Sequence, residues 1–273
     1  MSSKYGKNAP LSYDNYLKVP ELIGIQETLS KPTSHDELLF IIIHQTYELW
    51  FKQILHEIDA TIGWLNEGRI FRANHSMRVI LEIEKILVAQ IHVLETMAPI
   101  GFLEFRDKLN PASGFQSTQF REIEFVSGVK DKELLKFFVN GKIATKKLKK
   151  RFEAVTLAEV FWSLLEERGF SVETHEERVQ SIVKILETTE KNPEIYILQD
   201  LLIEHDRNIS IWRYHHVMMV ERMLGAKRGT GGSEGIGYLK TTLSKRFFPE
   251  IWEARTYLEL DGIDSISLCP HIT

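Results

Sequence analysis

The chain has 273 residues and a formal charge of −4, so it is long enough for a substantial core and carries no basic field of the kind that binds nucleic acid. Hydrophobic residues make up 43% and charged residues 26%, values of a globular protein, and no apolar run is long enough to span a bilayer. A single cysteine, Cys269, excludes an internal disulfide and a thiolate-rich metal site within one chain. Met1 to Lys7 lacks the apolar core of a signal peptide, so a cytoplasmic setting is expected.

The first strong helical signal begins after residues 1–32. Ser34 and Glu37 have capping-box spacing, and a helix is predicted from Ser34 to about Asn66, ended by Gly68. It is apolar over most of its circumference and therefore buried. Phe40, His44, Tyr47 and Phe51 share one of its faces. An imidazole there needs a hydrogen-bond partner or a bound group to offset its desolvation; a satisfied core histidine and a functional one both fit.

A second helix is predicted from about Phe71 to Met97. Ile80, Ile83, Leu87, Ile91 and Leu94 recur every three or four residues, so it pairs antiparallel with the first. Phe102 to Leu109 reads as a short helical piece closed by Asn110-Pro111, with a loop at Ala112-Ser113-Gly114 and a helix from Phe115 to Ser127. Arg106 lies in the aromatic stretch before that loop. Its guanidinium suits a bidentate carboxylate, although Glu104 or Asp107 are structural alternatives; Ser113 is a donor or a turn residue.

About 131–190 is charge-dense and reads as a helical insertion in a single domain. Its run Lys146-Lys147-Leu148-Lys149-Lys150-Arg151 reads as a solvated, mobile face; without interleaved aromatics it is a poor nucleic-acid patch. Glu176 to Glu190 has the pattern of an amphipathic surface helix. Pro193 opens a last long helix running from about Glu194 to Leu224, with Gly225 as its stop.

Trp212, His216, Met219 and Met223 line one face of that last helix, while His215 points about 100° away. An imidazole on such a stripe either ligates heme iron or belongs to the core. The two histidines diverge and no HExxH pair is present, so a local zinc site is not expected. After Gly225 comes a loop with five glycines between Gly229 and Gly237. It lacks the strand and the Gly-Lys-Ser/Thr tail of a phosphate loop. Its backbone N–H groups and the Thr230 hydroxyl could meet an anion, or it is a mobile connector. There is no G-x-S-x-G elbow and no pair of carboxylates placed for acid–base work. Strand signals are weak throughout, and the expected fold class is all-α: one helical domain of long antiparallel helices.

Eight segments in this order resemble the tryptophan 2,3-dioxygenase family. They are Ser12-Tyr13-Asp14-Asn15-Tyr16-Leu17, His35 to Thr46, Glu48-Leu49-Trp50, Phe105-Arg106, Ser113 to Ser117, Gln119-Phe120-Arg121, Trp212 to His216 and Lys227 to Gly232. The resemblance implies a heme pocket between the long helices. His216 matches the proximal ligand of heme b, whose iron is ferrous in the active form. His44 matches the distal histidine that faces the indole N–H. Phe40, Phe102 and Leu109 match pocket walls, although some members carry tyrosine where this chain has Phe102. Arg106 and Thr230 match the groups that hold the substrate's carboxylate and ammonium. Ser113 matches a residue near the distal face of the heme.

Tyr13 and Tyr16 match residues that reach a neighbouring subunit's pocket. The implied assembly is a homotetramer, a dimer of dimers, with residues 1–32 contacting that neighbour. The implied reaction is insertion of O2 across the indole C2=C3 bond of L-tryptophan, giving N-formyl-L-kynurenine. Two other readings predict different outcomes. A heme monooxygenase acting on a tryptophan derivative adds one oxygen with the ring intact, and a non-catalytic heme or tryptophan-binding protein turns nothing over.

Overall fold

The structure is a computed structural model that describes residues 11–138, 142–225, 227 and 235–259. In chain order the helices are α1 (Tyr13–Leu17), α2 (Val19–Leu22), α3 (His35–Asn66), α4 (Ile70–Leu94), α5 (Pro99–Arg106), α6 (Thr118–Ser127), α7 (Lys142–Glu153), α8 (Leu157–Glu167), α9 (His175–Glu187), α10 (Pro193–Leu224), α11 (Ile236–Thr241) and α12 (Pro249–Glu253). The described residues contain no strand, and the all-α expectation holds.

α4 is the centre of the molecule, packing against α3 on one side and α10 on the other. Ile54 and Ile58 of α3, Met77, Ile80, Leu87 and Ile91 of α4, and Leu198 and Leu202 of α10 are at most 1% exposed. Each such side chain contributes about 1.5–3 kcal/mol on burial, which makes this three-helix layer the main source of stability. Buried polar groups fix its register. Glu84 of α4 receives His205 Nδ1 of α10 at 2.5 Å, and Asn208 Nδ2 donates to the same carboxylate at 3.3 Å. His205 Nε2 lies 3.0 Å from the Ser127 hydroxyl at the end of α6. Asp206 Oδ2 accepts the Phe247 and Phe248 N–H groups and Trp252 Nε1, which hold the C-terminal segment against α10.

The predicted capping box at Ser34 does not form. Ser34 is the N-cap by backbone, but its hydroxyl donates to Glu104 Oε2 at 2.8 Å, so it joins α3 to α5. Glu37 turns instead to the preceding chain, where it accepts the Leu29 N–H at 2.6 Å, the Ser30 N–H at 3.0 Å and the Ser30 hydroxyl. Partners outside the helix outcompete the capping box because they satisfy buried groups. α4 stops at Leu94, short of the expected Met97. No α-helix begins at Phe115: Gly114–Gln116 is a single 3-10 turn, closed by a Ser113/Gln116 capping box, and Ser117 then caps α6 by accepting the Phe120 N–H at 3.2 Å. Two serine caps four residues apart divide what hydrophobicity alone reads as one helix.

Within 131–190, α8 and α9 bury Leu157, Phe161, Leu165, Ile182 and Ile185 in the main core. α7 closes a separate small cluster of Phe125, Leu134, Phe138 and Leu148.

Candidate functional site

α3, α5, α6 and α10 surround a cavity of about 540 Å³. Its walls are mostly apolar, including Phe51, Ile91, Leu94, Phe120, Met219 and Met223. The site follows from three segments that expose different chemistry to this one space.

The first is α3, which contributes Phe40, His44 and Glu48. His44 Nδ1 lies 2.7 Å from the Phe40 carbonyl, one turn earlier in the helix. That contact fixes the tautomer: Nδ1 carries the proton and donates, leaving the Nε2 lone pair as an acceptor. Burial lowers the His44 pKa and outweighs the opposing effects of the Phe40 carbonyl and the Glu48 charge, so the ring is neutral at physiological pH. Glu48 is pinned: its carboxylate accepts the Ser117 hydroxyl at 2.6 Å and Gln119 Nε2 at 2.8 Å.

The second segment is α5 and the turn after it. Phe102 packs 5.7 Å from Phe40 between ring centroids, and Phe105, fully buried, packs 5.5 Å from Phe40 and 5.4 Å from Phe102. Arg106, Leu109 and Ser113 also line the cavity. The Asp107 carboxylate is 3.9 Å from Arg106 Nη1 but 94% exposed, so solvent screens that pair. Glu104, the other sequence candidate for pairing Arg106, is engaged by Ser34.

The third is α10, where His216 stacks parallel on Trp212 with ring centroids 5.4 Å apart and planes 3° from parallel. Trp212 is itself held edge-on by Tyr47 and Phe51. Burial pushes the His216 pKa down to about 4, helped by repulsion from His44 when that ring is protonated and from the Arg121 charge. No described residue hydrogen-bonds the His216 ring, and it borders the cavity. A neutral imidazole with a free lone pair on an apolar wall is the donor that a heme iron needs.

Comparison with known proteins points the same way. The family profile described as tryptophan 2,3-dioxygenase matches residues 2–160 and 142–258. The chain is 44% identical to the tryptophan 2,3-dioxygenase of Nocardioides sp., over 92% of this chain and 96% of the relative. It is 44% identical to that of Herpetosiphon aurantiacus, over 91% and 98%, and 38% identical to that of Myxococcus xanthus, over 90% and 89%. The chain belongs to the tryptophan 2,3-dioxygenase family.

Tryptophan 2,3-dioxygenases are heme-dependent, and the residues here fit that group. His216 offers a neutral ligand. The cavity is apolar, as a porphyrin face requires. Three buried donors on its lining residues have no hydrogen-bond partner among the described residues: Arg121 Nε, Arg213 Nε and the Tyr238 hydroxyl. Donors of that kind call for an acceptor, and the carboxylates of heme are groups they could serve. Among the described residues no group of His, Cys, Asp and Glu is arranged to hold a metal ion by itself.

Of the sequence-derived site residues, Phe40, His44, Phe102, Arg106, Leu109, Ser113 and His216 border the one cavity. Thr230 lies outside the described residues. Tyr13 and Tyr16 on α1 are 74% and 71% exposed and do not line the cavity of their own chain. Sequence reasoning missed Glu48 and the arrangement of Arg121, Glu124 and Arg213. Glu124 Oε1 accepts Arg213 Nη2 at 2.8 Å, while its other oxygen accepts Arg121 Nη1; Arg213 Nη1 also donates to the Lys245 carbonyl at 3.0 Å. Arg121 and Glu124 stand three apart on α6, a spacing that signals a pair, but the third member comes from a helix 89 residues away.

Proposed function

We propose that the protein cleaves the indole C2=C3 bond of L-tryptophan with O2 to give N-formyl-L-kynurenine. Both oxygen atoms are retained, as two new carbonyls, and no external reductant is consumed. The observation that supports this best is that two neutral imidazoles, His44 and His216, border one apolar cavity, each by a different helix.

His216 would hold heme b through its uncommitted nitrogen, with Trp212 fixing the plane of the ring. Arg121 and Ser113 would border the group, Arg121 with its buried charge towards the heme carboxylates. Bound heme, with its iron ferrous, supplies the activation of O2. The polypeptide supplies everything that positions the substrate.

The indole ring lies against Phe40, Phe102 and Leu109, whose apolar walls exclude water. His44 Nε2 accepts the indole N–H. Its Nδ1 is committed to Phe40, so this hydrogen bond has a fixed direction. His44 is an orienting acceptor rather than an obligatory base, because indole N–H is a very weak acid. Arg106 holds the substrate carboxylate, and Thr230 assists at the amino-acid end. Fixing both ends would orient C2 and C3 towards the oxygen that bound heme activates, and orientation of this kind can supply a large share of the rate.

The exposed Tyr13 and Tyr16 support assembly as a homotetramer in which α1 reaches a neighbouring subunit's pocket. The working location is the cytoplasm. No single helix among the described residues is long and apolar enough to cross a membrane.

The test is His216→Ala. The wild type is expected to purify with one heme per chain and a Soret band that shifts on addition of L-tryptophan. The variant is expected to lose both. Full heme content with an unchanged spectrum would reject His216 as the ligand.

A further inference from the structure

The basic run in α7 has no part in this reaction; its lysines Lys146, Lys147, Lys149 and Lys150 are solvent-exposed, as expected, but the helix that carries them is anchored. α7 buries Leu148 completely against Phe125, Leu134 and Phe138, and this anchors the helix. Lys147, Lys150 and Arg151 then line a second cleft of about 440 Å³, away from the heme cavity. α3 supplies Lys52, His56 and Asp59 to the same cleft, and α6 supplies Gln119 and Glu122.

The charges in it are unequal. Arg151 is locked to Asp59 by two hydrogen bonds of 2.5 and 2.7 Å, and its Nε lies 3.6 Å from Glu122. Lys147 Nζ is 3.2 Å from the other Glu122 oxygen. Both carboxylates are therefore already committed. Lys52 and Lys150 form no ion pair among the described residues. Four basic side chains face two carboxylates, a formal excess of two positive charges with His56 taken as neutral.

We propose that this cleft binds a small phosphate-bearing molecule, its phosphoryl group held between Lys52 and Lys150 and backed by Arg151 and Lys147. A phosphoryl group carries about −1.5 to −2 charge near neutral pH, which matches the excess. Lysine ammonium groups serve phosphate as point charges. The volume lies within the usual range of small-molecule sites, roughly 300–1,000 Å³. A nucleic acid fits less well, because the cleft is bounded on both sides by helices and has no aromatic platform for base stacking. The Arg151–Asp59 pair forms one wall of the cleft, while the exposed Lys52 and Lys150 side chains are free to close on the ligand.

The test is calorimetric titration of the heme-loaded, full-length protein with inorganic phosphate at constant ionic strength. The wild type is expected to show one saturable site per chain. Lys52→Ala/Lys150→Ala is expected to weaken it by about tenfold or more, a loss of about 1.4 kcal/mol. That double variant keeps its heme content and spectrum, since neither lysine is part of the heme cavity. Lys52→Arg/Lys150→Arg is expected to retain binding. No saturable binding in the wild type, or equal binding in the alanine variant, would overturn the proposal. A single-stranded oligonucleotide that binds more tightly than phosphate and is lost in the same variant would also overturn it, marking the face as a nucleic-acid surface.

Discussion

Trp212 and His216 stack face to face, one turn apart on α10, with planes 3° from parallel. The indole is fixed by Tyr47, Phe51 and Phe120 around it, so it sets the rotamer of the imidazole before any ligand arrives. Trp212→Ala should therefore raise the rate of heme loss by about tenfold and cost the apoprotein about 3 kcal/mol through the cavity left behind. Trp212→Phe should be milder in both. Heme transfer to an apoglobin and urea unfolding measure the two effects separately; an unchanged heme off-rate in Trp212→Ala would remove the stacking from the account.

Arg106 is held at the cavity by α5, whose Phe105 is fully buried beneath it. Arg106→Leu is expected to weaken L-tryptophan binding by about 100-fold, roughly 3 kcal/mol for a charge-assisted bidentate contact. Heme content should not change. Tryptamine, which lacks the carboxylate, should bind wild type and variant alike. A variant that loses tryptamine and tryptophan equally would show that Arg106 shapes the pocket without reading the carboxylate.

Glu124 keeps two buried guanidinium groups together on one carboxylate. Glu124→Ala leaves Arg121 and Arg213 facing each other without it, and should destabilise the protein by about 3–5 kcal/mol. Replacing Arg121 by Met in the same chain should recover part of that loss. Additive effects in a double-mutant cycle would contradict the shared-charge arrangement.

Glu37 gives the fold a pH dependence of known sign. Burial alone would raise its pKa, but hydrogen bonds from the Ser30 hydroxyl and the Leu29 and Ser30 N–H groups outweigh it and hold the carboxyl below its usual 4.5. A depressed carboxyl pKa adds stability that is present above the unfolded value and lost as pH falls through the folded one. Glu37→Gln should therefore be less stable than wild type at pH 7, and the gap should close below about pH 4.5. Chemical unfolding across that range tests it; a gap independent of pH would mean the ionised form has no advantage.

The long helices were legible because their apolar residues recur at 3.6-residue spacing, and α3 and α10 begin and end within a residue or so of the capping and glycine signals. His44 and His216 were legible as imidazoles in apolar stripes. Where local motifs and tertiary partners competed, the sequence misled: Ser34 and Glu37 have capping-box spacing yet bond to α5 and to Ser30. Glu48 and Glu124 were illegible for the same reason. A carboxylate in a helix looks like a surface charge until the chain brings Gln119 or Arg213 to it. The lysines of α7 are solvent-exposed as the sequence reads, but the pairing of Lys147 and Arg151 with Glu122 and Asp59 was illegible because those carboxylates lie on other helices.

The most direct test of the central claim is the product formed when the ferrous, heme-loaded protein meets L-tryptophan and isotopically labelled O2. N-formylkynurenine carrying both labelled oxygen atoms is the expected result. A product with one labelled oxygen and an intact indole ring, or a heme spectrum that responds to tryptophan with no turnover, would contradict it.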